Sequence, residues 1–314
     1  MHARSQLALQ YSIDAVRCSG HDGAVDVRLH DDLNKFVALA RPLLEADPVR
    51  HSIAVAVLAL LVRAPEFTLV PPVLLTVGRE EVLLGAAICT PPRNVIVCGL
   101  PAECATAAAA VLAHQHPGLP GTVGLRTEAE RFAQSWSDCT GVPTTERRAQ
   151  RVFALFQLTP PTGVRGVARR ADTSDVELLA RWWEDFADEA TSGPRDPRPA
   201  QQQVKGILAA GTSALLWEVG GQPVAWASAT APAAGMSRIG PVYTLPAHRG
   251  HGYGSAVTAA AADWATQAGA KHVVLNTDLS NPISNAIYPR IGFRPVHDAV
   301  EIAFTPMQSP QTTG

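Results

Sequence analysis

One order of pieces occurs twice in this chain, and that repeat limits the folds open to it. "VLLTVGREEVLLGAAICTPP" (Val73 to Pro92) has the rhythm of "ALLWEVGGQPVAWASATAPA" (Ala214 to Ala233). Each is a hydrophobic run, a glycine turn, a second run and then proline, which reads as a β-hairpin. Gly78 aligns with Gly220 and Val82 with Val224, both at an offset of 142. Another strand follows in each half, "NVIVCG" or "RIGPVYT", and then Leu-Pro-Ala at Leu100 and Leu245. "TAAAA" begins at Thr106 and Thr258, an offset of 152. "LRTE" (Leu125 to Glu128) echoes "LNTD" (Leu275 to Asp278), and Gly141 echoes Gly292. Terminal strands "RVFALFQL" and "AVEIAF" are expected to close the two halves. The shared order implies duplication of one α+β unit, a mixed sheet flanked by helices.

The halves are expected over residues 25–158 and 164–306, joined by "TPPTG" (Thr159 to Gly163), with a flexible tail over 307–314. In the second half Ser174-Asp175-Val176-Glu177 reads as a capping box opening a helix to about Ala190. Trp182 and Trp183 fall on its apolar face and are read as core. The apolar run from Ser52 to Val62 is shorter than the ~20 residues of a membrane span, so it is read as a buried helix. The start lacks the pattern of a signal peptide. Five cysteines without a C-x-x-C pair argue against a disulfide framework or structural zinc, and a cytoplasmic setting is expected. His114 and His116 read as a helix end, and no metal is expected. A net charge of -2, from 26 basic and 28 acidic residues, gives no support for a nucleic-acid partner.

The halves differ in one place. The second carries seven more residues between its strand and its alanine-rich helix, in the stretch "AHRGHGYGSAVTAAAADWA" (Ala247 to Ala265). A helix start offers free N–H groups and a positive dipole end, and glycines let the backbone approach an anion closely. Arg249 adds a charge suited to phosphate. A triphosphate-cleaving loop would need Gly-Lys-Ser/Thr, and here Gly254-Ser255 lacks the lysine. A dinucleotide loop fits loosely at Gly250 and Gly252, with Asp278 as its acid, but "LPAHR" separates the loop from its strand. A coenzyme with a pyrophosphate and a long arm is the third class.

Arg249-Gly250-His251-Gly252-Tyr253-Gly254 resembles the Arg/Gln-x-x-Gly-x-Gly/Ala motif of the GCN5-related N-acetyltransferases. Downstream, "NPISNAIYPRIGFRPV" resembles that family's second signature at Asn281, Ser284, Tyr288, Gly292 and Phe293, with Ser284 in place of the commoner alanine. The resemblance covers roughly Val164 to Phe304. It implies two tandem acyltransferase-like domains and acetyl-coenzyme A as co-substrate. Arg249 to Gly254, with Ser255, would hold the pyrophosphate. Val242, Tyr243 and Thr244 would pair with the pantetheine arm like an added strand. Asn281 and Asn285 would meet the coenzyme's amides, unless they serve as turn or helix-cap residues. Tyr288 would protonate the departing thiolate, whose thiol has a pKa near ~8.5. The strand before the loop carries no carboxylate, and Glu184, Asp185 and Glu218 are the nearest guesses for a base.

The first half lacks the loop and carries Glu103 near where a pyrophosphate would lie. At an offset of 151, Tyr288, Asn285 and Asn281 correspond to Ser137, Gln134 and Glu130. That half is expected to keep the fold without binding coenzyme. The expected activity is acetyl transfer by direct attack in a ternary complex to an amine of an unidentified acceptor, a small-molecule amine or another amino group. A coenzyme A-binding sensor without turnover is the alternative, and a dinucleotide-binding module is a weaker third reading. A monomer is expected, the repeat itself mimicking a dimer, with no membrane association.

Overall fold

The structure, a computed structural model, describes residues 9–12, 15–20, 23–68, 70–80, 82–190 and 196–305; the tail expected over 307–314 lies outside them. The fold is α+β throughout, with mixed sheets flanked by helices. The chain divides into two compact units, and neither is a contiguous half. The first comprises Met1–Ala46, Val70–Arg148 and Ala299–Gly314; the second comprises Asp47–Leu69 and Ala149–Asp298.

The first unit contains β1 (Leu9–Ser12), β2 (Ala15–Gly20), β3 (Gly23–His30), α1 (Leu33–Ala46), β4 (Val73–Arg79), β5 (Val82–Cys89) and β6 (Val95–Cys98). It continues through α3 (Ala102–Gln115), β7 (Gly121–Leu125) and α4 (Arg126–Thr140). Strands β1 to β6 pair in sequence order, all antiparallel, and β6 then pairs parallel with β7. The alanine-rich face of α3 and the aromatic face of α4 close over the sheet, with Phe132 and Trp136 buried.

The second unit begins with α2 (Ser52–Arg63), the apolar run read as a buried helix. No helix among the described residues is long and apolar enough to cross a membrane. Then come β8 (Thr144–Leu155), whose Ala149–Leu155 portion lies here, β9 (Val167–Arg170), α5 (Val176–Ala190), α6 (Ala200–Ala209), β10 (Ser213–Val219) and β11 (Gln222–Ala229). β12 (Met236–Thr244), α7 (Tyr253–Gln267), β13 (His272–Asp278) and α8 (Pro282–Arg290) complete it, with the start of β14 (Phe293–Phe304). The strand order is β8-β13-β12-β11-β10-β9, antiparallel except for β12 with β13. One face packs on α7 and α8, with Val257, Ala261, Tyr288 and Phe293 buried. The other packs on α5 and α6, where Trp182 is 4% exposed and Trp183 lies against it as core. The cap of α5 differs from the expected one: Asp172 accepts from the Ser174 amide, and the Asp175 carboxylate accepts from the Asp172 amide. Asp172 starts the box because its extended backbone turns its side chain onto the coming turn.

Two expectations need correction. The terminal strands do not close their own halves. Gln150 to Ala154 of β8 pair with β13 in the second unit, and Ala299 to Ala303 of β14 pair with β7 in the first. Accordingly Phe153 lies in the second unit's core, and Val300, Ile302 and Phe304 lie in the first unit's core. Each sheet thus covers an edge that its own half would leave open. The hairpin alignment also shifts. Val73 matches Ser213 and Val82 matches Gln222, 140 positions apart rather than 142. A bulge falls at Val77/Gly78 in one hairpin and at Trp217/Glu218 in the other. Gly220, at φ +61°, is therefore the counterpart of Glu80, at φ +47°. A two-residue hairpin turn needs positive φ whatever residue supplies it.

The exchange makes each unit depend on chain from the other half. Fragments 1–158 and 164–314 expressed alone are expected to show no cooperative thermal unfolding by circular dichroism, because 164–314 lacks α2 and β8. Co-expression should restore a cooperative transition. A lone 164–314 fragment that melts cooperatively would refute this dependence.

Candidate active site

The β12–β13 ladder stops early. Its pairs run from Met236–His272 to Ile239–Leu275 and end there, although both strands continue. The cause lies on the other edge of β12. Against β11 the pairing jumps from Ala227–Val242 to Ala229–Ile239, so β12 carries one extra residue in a bulge that includes Gly240 at φ +148°. A bulge bends its strand and disrupts the ladder locally. β12 parts from β13 and leaves an open edge inside the sheet.

Alternation decides which backbone groups line that edge. The Leu245 amide donates to the Val224 carbonyl of β11 at 3.1 Å. Neighbouring residues point opposite ways, so Val242 and Thr244 present their N–H and C=O groups to the open side. Tyr243 does not. Its backbone faces β11, and its ring is buried beside Trp182 on the α5 face. The expected trio therefore reduces to Val242 and Thr244.

The glycine loop stands at the end of the same strand. After a single 3₁₀ turn at Pro246–His248, Gly252 takes φ +81° as the residue before α7, and no side chain caps the helix. The amides of Tyr253, Gly254 and Ser255 are the first-turn donors that an α-helix leaves without internal partners. Glycine matters at two positions, for two reasons. At Gly252 a Cβ would be strained by φ and would meet Val164 Cγ2 at 3.2 Å. At Gly254 it would meet Thr244 Oγ1 at 3.3 Å, where helix and strand approach closely. Gly250 and His251 are exposed, and the His251 ring stacks on Tyr253 at 5.5 Å, with its Nδ1 2.9 Å from the Arg249 carbonyl. Tyr253 contributes an amide here, since its side chain is core.

Arg249 is engaged elsewhere. Nη2 donates to both oxygens of Glu189, at 2.8 and 2.7 Å, and Nε donates to the Thr244 carbonyl at 3.1 Å. Both side chains of the ion pair are nearly half exposed, and such a pair is worth about 0–1 kcal/mol. It is weak enough to exchange for a phosphate.

The second signature resolves into two roles. Asn281 caps α8, its Oδ1 accepting from the Ser284 amide at 3.0 Å. Asn285 donates from Nδ2 to the carbonyls of Asp278, Leu279 and Asn281, fixing the turn after β13. Its Oδ1 is buried without a partner. Of the two asparagines, only Asn285 thus retains an unsatisfied acceptor, and a pantetheine-type amide N–H would satisfy it. Tyr288 is 6% exposed, packed between Phe153 and Phe293 in the cluster that holds Leu275, the last paired residue of β13. Burial pushes its phenol up to about 12, while the Ser284 hydroxyl partly opposes the shift. The phenol therefore keeps its proton through the neutral range.

Of the three guesses for a base, Glu218 is ion-paired to Arg169, which also grips Asp175. Glu184 is exposed. Asp185 lies 3.4 Å from the Tyr243 hydroxyl, and burial, then Asp185 and Glu189, push that phenol up.

The first unit closes the corresponding place. β5 and β6 pair without a bulge, and a Cβ on Gly124 of β7 would meet the Val97 carbonyl at 2.9 Å. The Gly99 amide donates to Glu128 at 2.9 Å, so a buried carboxylate crosses where the second unit is open. Glu103 stands in the first turn of α3, unfavourable for an anion there. The counterpart of Tyr288 is Trp136 rather than Ser137. Trp136 stacks on Phe304 at 4.6 Å, as Tyr288 packs against Phe153. One more residue separates Trp136 from Gly141 than Tyr288 from Gly292, which is why an offset taken from the glycines misses it.

Comparison with known proteins agrees with this geometry. Residues 177–293 match the acetyltransferase (GNAT) family model. No curated protein matches the sequence. A solved Drosophila protein superposes with TM-score 0.64 at 13% identity, covering 90% of this chain and 99% of its own. A tandem GNAT protein from the clavulanic acid biosynthesis pathway gives 0.54 at 12% identity, over 90% and 100%. A GCN5-related N-acetyltransferase from Kribbella flavida gives 0.51 at 19% identity, over 72% and 88%. The bulged strand, the uncapped glycine-led helix and the family match coincide in one unit, and residues 177–293 of this chain are a domain of the GNAT acetyltransferase family.

Proposed function

We propose that the second unit transfers the acetyl group of acetyl-coenzyme A to an amine by direct attack in a ternary complex. The observation that carries this reading is the open edge of β12 beside the uncapped start of α7. A strand edge offering the N–H and C=O of Val242 and the N–H of Thr244, with the Thr244 carbonyl held by Arg249, fits an arm rich in amides, and the helix start fits a pyrophosphate. The unsatisfied Asn285 Oδ1 supports the same fit. When bound, acetyl-coenzyme A supplies a thioester carbonyl, whose C–S bond breaks as the N–C bond to the amine forms.

The remaining chemistry belongs to the chain's own residues. Val242 and Thr244 orient the arm, and the amides of Tyr253, Gly254 and Ser255 hold the phosphates. Tyr288 holds a proton on Oη for the sulfur. Its high pKa keeps it a donor at neutral pH, and the burial that raises it disfavours a bare thiolate by the same physics. Asp185, on the α5 side of β12, and solvent take the proton that the amine releases. The alternative of a sensor without turnover leaves a buried phenol beside the site with no task.

Replacing Tyr288 with phenylalanine should lower kcat about 10²-fold or more while leaving coenzyme affinity near the wild-type value. Thiol-release kinetics and calorimetry separate the two, and an unchanged kcat removes Tyr288 from this role. Calorimetry should also find one tight coenzyme site per chain, and two would contradict the closed first unit. Gly252→Val imposes a backbone penalty of about 1–3 kcal/mol, so coenzyme affinity should fall about tenfold or more; equal affinity would count against the cradle.

A further inference from the structure

An arginine on β12 is not used by the reaction described above. The pairing fixes its face. Ile239 and its partner Ala229 belong to the α7-side core, so Arg238 points the other way, to the face that carries Trp226 and Tyr243. Arg238 Nη1 donates to Asn276 Oδ1 at 2.8 Å, and Asn276 Nδ2 donates on to Gln150 Oε1 at 3.2 Å. The three side chains form a row across β12, β13 and β8. Asn276 is the first residue of β13 beyond the last β12 pair, which puts the row at the root of the open edge.

Charge balance distinguishes this arginine. Other buried or half-buried arginines of the unit have carboxylates: Arg169 has Asp175 and Glu218, and Arg198 has Asp196. Arg238 has none among the described residues; its one partner is a neutral amide oxygen. Burial alone pushes its guanidinium down to about 10, with no carboxylate opposing the shift. Arg238 is half-buried, and a partly desolvated cation with no anion beside it gains when a ligand carboxylate completes the pair. The Nε–Nη2 edge makes no hydrogen bond to a described residue. That edge is the fork that takes a carboxylate in two parallel bonds.

We infer that the acceptor is an amine that also carries a carboxylate, of which an amino acid is the simplest, and that Arg238 grips that carboxylate through its Nε–Nη2 edge. The inference rests on the acetyl-transfer reading above. Asn276 and Gln150 are positioning residues, holding the guanidinium with its free edge toward the acceptor. The carboxylate anchored at the root of the edge leaves the amine to reach the thioester at the bulge. Arg238 then sets specificity for the acceptor.

The test uses the full chain, acetyl-coenzyme A and the standard L-amino acids, each beside its carboxamide, with thiol release as the readout. At least one amino acid should show kcat/KM about tenfold or more above its carboxamide. In Arg238→Gln, shown to be folded by circular dichroism, that ratio should fall toward one. Arg238→Lys should keep part of it. In parallel, the N-acetyl derivatives of the same amino acids are titrated into the coenzyme A-loaded protein, and they should bind the wild type but not Arg238→Gln. Carboxamides accepted as well as acids, or a preference that persists in Arg238→Gln, would overturn the inference. So would a mutant that loses only a preference for succinyl- over acetyl-coenzyme A, since the arginine would then read the acyl group. If no amine releases thiol yet N-acetyl acids bind through Arg238, the carboxylate site stands and the acetyl-transfer reading fails. If neither occurs, the carboxylate site is wrong.

Discussion

A sheet that must stay paired on one side of a strand and open on the other is the constraint on which the second unit rests. One extra residue in β12 provides it. The bulge keeps β12 joined to β11 through Tyr243 and Leu245, yet ends its pairing with β13 at Ile239. Unpaired backbone inside a sheet is normally a liability, because each N–H and C=O loses water without gaining a partner. It is tolerable where a ligand with its own amides takes the missing strand's place. The other features follow from that opening. The loop and α7 start where the bent strand ends, the turn before α8 is pinned by Asn285, and Tyr288 is buried beside the last paired residue.

The strand exchange gives the first half a task although its own site is closed. β8 supplies Phe153, against which Tyr288 packs, and Gln150, which ends the row that begins at Arg238. α2 packs against β12, and Arg63 at its end donates to the carbonyls of Ala231 and Pro232 in the turn before β12. The second unit is thus built partly from chain that precedes its own half.

At the site the repeats diverge in backbone as well as in side chains. Where one copy has a bulge, glycines and a phenol, the other has a regular ladder, Glu103 with Glu128, and Trp136. The tryptophan fills the same aromatic niche but offers an indole N–H that is buried without a partner. The fold survives because the niche asks only for a large ring.

The duplication, the α+β class and the glycine-led start of α7 were legible in the sequence, because each depends on local pattern: alternation, helical period and glycine spacing. Asn281 and Asn285 were legible as residues but not as roles, since a cap and a ligand contact use the same side chain. The swap of β8 and β14 was hidden, because terminal strands of similar pattern fit either sheet and only register decides between them. Arg238 carried no signal at all. An arginine in "MSRIGPVYT" reads as an outward-facing charge on an alternating strand. Only the tertiary structure half-buries it, gives it no carboxylate among the described residues and sets it beside the opening, because charge balance away from water depends on neighbours that are distant in sequence.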